Sequence, residues 1–255
     1  MSKSFPFRGK MLGVIIPGAR PDNTYESREY EVYRYDEWMR SREVQGARAV
    51  FEVTVSEGSH VPDTAFATGR ADLLQEAGTR LAEAGCSALA WACTCASFVG
   101  GLEWARGQAA RLADATGLPA TSTSLALLAG IRSLGADTVD VLSPYPKELT
   151  AALEKFLHEA NVEVAAMATL GCPGPVESHE IDLRSEAACF HDRLAGRKHP
   201  LVIPDTAIDT ISLIPALEAD MGRPVIGATQ ATLWQGLKLL GIRYREENGG
   251  VLWSC

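Results

Sequence analysis

Short apolar runs alternate along the chain with stretches whose apolar residues recur every three or four positions. The two periods separate strands from helices. Positions 11–16, 49–55, 87–92, 138–142, 162–168 and 201–203 form the apolar runs and predict strands. The segments between them predict helices over about 69–84, 102–116, 124–134, 147–160, 180–194, 207–220 and 230–240. Leu73, Leu74, Ala77, Leu81 and Ala84 show the spacing of a helix buried on one face. Strand–helix alternation with short links predicts an α/β chain with a parallel sheet covered on both sides.

One pattern occurs twice. Residues 117–135 read as a Gly-x-Pro turn, a short strand, a Thr/Ser-rich loop and a helix ending in Leu-Gly, and residues 222–241 repeat that order. Upstream of each copy a buried strand ends on a polar residue, Cys93 in the first and Asp205 in the second. An internal duplication would place these two strand exits on opposite walls of one cleft. Ligands in open α/β sheets bind beyond the carboxyl ends of the strands, so that cleft is the expected site.

Composition narrows the function. The chain has 255 residues, 46% hydrophobic and 22% charged, with a formal net charge of -8. That balance argues against broad binding of nucleic acid or of an anionic membrane surface. No run reaches the roughly 18–20 apolar residues of a membrane helix, and the first ten residues lack the apolar stretch of a secretory signal. Six cysteines without framework spacing suggest free thiols and a cytoplasmic protein. Cys93-Thr94-Cys95 has one intervening residue, unlike zinc sites, and the five histidines show no metal spacing, so no metal is expected. His60, beside Pro62-Asp63, is placed at the cleft mouth.

Cys93 carries the most chemistry. It closes an apolar strand and precedes Thr94-Cys95-Ala96-Ser97 and a helical stretch, where free backbone N–H groups and the helix dipole favour a thiolate. Asp205 has two readings. Asp is a good helix N-cap, and the helix expected from 207 needs one; Thr206 with Asp209 would cap it instead and leave Asp205 facing the pocket as an acid–base group. Thr121–Thr123 and Thr229-Gln230 are ordinarily caps, with substrate contact the second reading. Arg20 and Arg28 would neutralise a dianion, although solvated surface arginines are commoner.

At these residues the chain resembles the maleate isomerase and arylmalonate decarboxylase branch of the Asp/Glu racemase superfamily. The supporting stretches are Leu12 to Pro17, Asn23-Thr-Tyr-Glu26, Cys93 to Phe98, Thr116 to Pro119, Ser143-Pro-Tyr145 and Pro204 to Asp209. The resemblance implies two pseudo-symmetric Rossmann-like lobes, each a mostly parallel sheet flanked by helices, with the active site between them. The lobes are read as residues 1–117 plus about 226–255, carrying Cys93, and residues 118–225, carrying Asp205. It also implies a cofactor-independent site for a small dicarboxylate, with Pro17, Asn23, Thr94, Cys95, Tyr145 and Thr206 contacting substrate. A homo-oligomer is compatible with this reading.

The chain departs from the family pattern at one telling place. Such proteins usually place a cysteine on each lobe, and here the second position is Asp205. No asparagine lies in the segment Gly171-Cys-Pro-Gly-Pro175 where a maleate isomerase would carry one. The retained thiol is the nucleophilic one, so cis–trans isomerisation with Cys93 as nucleophile is the leading expectation. Decarboxylation of a malonate with Cys93 as proton donor is the alternative, and a non-catalytic carboxylate-binding protein is the third.

Overall fold

Two four-stranded parallel sheets form the centre of the computed structural model, which describes residues 9–19, 35–42, 44, 46–194 and 196–255. The first sheet runs β2-β1-β3-β4, built from β1 Lys10–Ala19, β2 Ala47–Ser56, β3 Ala88–Trp91 and β4 Ala120–Ser122. The second runs β6-β5-β7-β8, from β5 Thr138–Ser143, β6 Glu163–Thr169, β7 Leu201–Ile203 and β8 Val225–Gly227. The second order is the first one shifted by four strands, so the duplication read from the Gly-x-Pro echo extends to whole sheets. Both echo turns have one cause. Gly117 and Gly222 end helices in the left-handed conformation, at φ 69° and 58°, where a Cβ is disfavoured.

Helices cover the sheets. In chain order they are α1 Tyr35–Ser41, α2 Pro62–Thr68, α3 Ala71–Glu83, α4 Thr94–Phe98, α5 Gly101–Thr116, α6 Thr123–Ser133, α7 Lys147–Glu159, α8 Pro175–His179, α9 Leu183–Arg193, α10 Ile214–Met221 and α11 Ala228–Leu239. Among the described residues no helix is long and apolar enough to cross a membrane. Of the apolar stripe, Leu74, Ala77 and Leu81 of α3 are buried, Leu73 is half-buried, and Ala84, just past the helix end, is exposed.

The lobes exchange a helix. Gly130 of α6 faces Ile226 of β8, while Gly236 of α11 packs so closely on Leu12 of β1 that a Cβ there would fall 2.5 Å from Leu12 Cδ2. Thr123 of α6 and Thr232 of α11 hydrogen-bond at 2.9 Å where the two helices meet. One apolar core therefore runs through both lobes, from Leu12 and Val14 to Val139, Val141 and Ile226. The boundary read at 118 needs moving, because β4 pairs with β3 and stays with the first sheet.

Two helices differ from expectation. The helix read over 180–194 is α9, which starts only at Leu183, and a short α8 that was not expected precedes it. The one read over 207–220 starts only at Ile214, with Pro215 in its first turn, where a missing N–H costs nothing. Residues 204–213 form turns, and Asp205 adopts φ 101°.

Candidate active site

Both strand exits named by the sequence meet. Cys93 follows β3 in extended backbone and stands at the N-cap of α4, whose first amides lack intrahelical partners. Pro204, Asp205 and Thr206 follow β7 on the other lobe. Two hydrogen bonds stitch the exits together: the Asp205 N–H donates to Thr94 Oγ1 at 3.2 Å, and Thr206 Oγ1 donates to the Ala92 carbonyl at 3.5 Å. Residues 93–94 and 205–206 are thus matched across the pseudo-symmetry, with a thiol on one side and a carboxyl on the other.

Asp205 does not cap a helix. Its Oδ1 accepts from the Ala207 N–H at 3.0 Å, closing a turn two residues long. A short polar side chain that bonds its own backbone is what makes positive φ tolerable for a non-glycine residue. The second oxygen, Oδ2, is buried without a hydrogen-bonding partner among the described residues. It lies 3.6 Å from His60 Nε2.

His60 is held from three sides. Its backbone N–H donates to the Pro173 carbonyl at 2.8 Å, and its Nδ1 meets the Cys172 carbonyl at 3.0 Å. Its ring stands edge-on to Tyr145, with centroids 4.9 Å apart. The loop after β2 can approach residues 172–174 this closely because position 174 is glycine: a Cβ there would fall 2.9 Å from the Gly58 carbonyl oxygen.

Pro17, Gly18, Ser56, His60, Thr68, Cys93, Thr94, Cys95, Asp205 and Thr206 line one cavity of about 40 Å³. That is room for a few ordered waters. A larger groove of about 600 Å³ between α11 and the C-terminus shares none of these residues.

Burial and neighbouring charge set the ionisation of the flanking groups. The Cys95 thiol is pushed well above its usual range, first by its hydrogen bond to Cys93, then by burial and the charges of Cys93 and Asp205. Tyr145 is pushed up by burial first and then by Asp205, Cys95 and Cys93, with the Thr94 side chain opposing. Its hydroxyl has no well-formed partner among the described residues, so Thr94 lies beside it without satisfying it. Both groups are neutral donors at ordinary pH, as a site for developing negative charge requires.

Of the residues expected here, Pro17, Cys93, Thr94, Cys95, Asp205 and Thr206 line the cavity, and Tyr145 sits behind His60. Asn23, with Arg20 and Arg28, falls outside the described residues. Thr121–Thr123, Thr229 and Gln230 do not line it. They are buried at the α6–α11 seam, where Gln230 donates to the Gly249 carbonyl and the Thr229 carbonyl accepts from Tyr35. Sequence reasoning set His60 at the cleft mouth; the structure buries it to 5% exposure against Asp205. The signal was faint, a histidine two residues ahead of a proline that opens a helix.

Comparison with known proteins identifies the family and the fold. A family model described as arylmalonate decarboxylase matches residues 62–253. A maleate isomerase of Geobacillus stearothermophilus is 27% identical over 180 residues, covering 68% of this chain and 72% of that one. An arylmalonate decarboxylase of Bordetella bronchiseptica is 26% identical over 164 residues, covering 64% and 68%. Among solved structures, a mutant maleate cis-trans isomerase of Nocardia farcinica with a covalently bound succinylcysteine intermediate superposes with a TM-score of 0.81. That match is 20% identical and covers 96% of this chain and 98% of the other, so it speaks to the fold.

Proposed function

This chain belongs to the arylmalonate decarboxylase family, and within it we propose a cofactor-independent cis–trans isomerase of a small unsaturated dicarboxylate, with Cys93 as nucleophile. One observation carries the reading: the Cys93 thiol, at the start of α4, lines the same cavity as Asp205 and Thr206 from the opposite lobe. The Cys93 thiolate adds to one alkene carbon, forming a C–S bond and moving the π pair onto the neighbouring carbon and its carboxylate. Donors at the start of α4 hold that charge; one well-aimed donor is worth about 3 kcal/mol. Rotation about the resulting single bond and loss of the thiolate give the trans isomer.

Incubation with maleate tests the proposal. Fumarate should form, and intact mass should show an adduct of one maleate on Cys93, with Cys93→Ala abolishing both. Full turnover in Cys93→Ala would end the reading. A second reading, decarboxylation of a substituted malonate with Cys93 as proton donor from the lobe opposite to the usual one, is favoured by the description of the family model. Release of carbon dioxide from malonates in place of fumarate production would establish it. Thermal stabilisation by diacids without turnover of any would indicate a carboxylate-binding protein.

A further inference from the structure

We infer that His60 and Asp205 together bind one proton in the resting protein, and that this proton is delivered to the substrate carbon next to the one attacked by Cys93. The inference rests on the isomerase reading for its second half only. Its first half stands on geometry. A carbonyl oxygen can only accept, so His60 Nδ1, 3.0 Å from the Cys172 carbonyl, carries a hydrogen. In neutral imidazole the other nitrogen would then be bare, and Nε2 faces Asp205 Oδ2 at 3.6 Å. Two lone pairs would oppose each other in a buried place, with no other partner for Oδ2 among the described residues. One proton, on Nε2 or on Oδ2, turns that repulsion into attraction.

The surroundings leave this pair a distinct part. Among the described residues, the titratable groups beside it are Cys93 and Cys95 from the β3–α4 turn, Tyr145 after β5 and Cys172 before α8, with Glu177 of α8 acting on Cys172. None of these is a lysine or arginine, so His60 is the one described side chain lining the cavity that can be cationic. The position that usually supplies the family's second thiol is here a carboxyl with a histidine behind it. A thiol brings its own proton, whereas an ionised Asp205 needs the pair to hold one.

The step balances. As Cys93 sulfur bonds to one alkene carbon, the π pair takes the pair's proton to form a C–H bond at the other carbon. His60 is left neutral and Asp205 ionised. After rotation the pair removes the hydrogen that was originally on that carbon, the double bond reforms and the C–S bond breaks. If addition and elimination share one geometry, removing the added hydrogen only regenerates the cis isomer, so each trans product keeps one proton from the enzyme.

Two measurements test this. Fumarate formed in D₂O should carry one deuterium per molecule, and deuterium-free fumarate would overturn the delivery step while leaving isomerisation intact. Two-bond ¹H–¹⁵N spectra of the wild-type protein near neutral pH, with the ¹³C shift of the Asp205 carboxyl, should show either Nε2 protonated or the carboxyl neutral. A bare Nε2 beside an ionised Asp205 would overturn the proton-binding half, whatever the reaction proves to be. His60→Asn retains an amide able to reach Cys172. It should lower kcat about 10²-fold while the rate of Cys93 alkylation by iodoacetamide stays within about threefold. An unchanged kcat in a folded variant would overturn the role of His60.

Discussion

Thr94→Val tests the cross-lobe stitching most directly. Thr94 is 2% exposed, and its Oγ1 is the acceptor for the Asp205 N–H. Valine keeps the shape and removes the acceptor, leaving a buried N–H unpaired at a residue already at φ 101°. An orphaned buried donor costs about 1–3 kcal/mol. At about 2–4 °C per kcal/mol for a chain of this size, the melting temperature should fall by about 4–8 °C at the middle of that range. Thr206→Val is the internal control. Its bond to the Ala92 carbonyl is longer, 3.5 Å, and the group left behind is a carbonyl, so its loss should stay below about 1 kcal/mol. Thr94→Ser should recover most of the loss. Thermal and urea unfolding of the three variants read the stability, and maleate turnover reads the displacement of Asp205. The reasoning fails if Thr94→Val melts within about 1 °C of the parent, or if Thr206→Val loses more.

Other consequences follow from buried charge. Asp140 and Arg223 are fully buried side chains joined at 2.8 Å, with Arg197 adding a longer contact at 3.4 Å. Asp140→Asn strands the guanidinium and should cost about 3–5 kcal/mol in urea unfolding, much of it recovered by adding Arg223→Met. Burial pushes the Cys86 thiol from 9.0 to about 11. The folded state therefore holds this proton more tightly than the unfolded chain, and the stabilisation is complete below pH 9 and lost as pH rises through 11. Cys86→Ala leaves a cavity whose cost does not depend on pH, so the advantage of wild type over that variant should shrink between pH 9 and pH 11. A constant difference across that range would refute the assignment.

Much of the site was legible because it sits where regular structure stops. An apolar run ending in Cys93, and another ending in Pro204-Asp205, mark strand exits in any parallel sheet, and the doubled Gly-x-Pro segments revealed that the exits are equivalent. Of the two readings of Asp205, the cap was ruled out by what local context could not show. A capping residue is recognised by the helix that follows, and that helix begins at Ile214, not at 207. The hydroxyl-rich segment 121–123 is a cap as its first reading held, with Ser122 Oγ accepting from the Leu125 N–H at the start of α6, and the substrate-contact reading does not hold for it. Thr123 and Thr232 satisfy each other across a helix seam, a partnership between residues 109 positions apart that no local pattern encodes.

The order of residues settled the α/β class through its two side-chain periods, and marked Cys93 and Asp205 as the polar residues closing the strands upstream of the two Gly-x-Pro segments, because side-chain period and strand exits are properties of a few neighbouring residues. Tertiary structure decided the rest. It exchanged α6 and α11 between lobes, joined both halves through one core, and brought His60 to within 3.6 Å of a carboxyl 145 positions away along the chain. Proximity of that kind depends on loop closure and packing, which the order of residues constrains only through the whole fold.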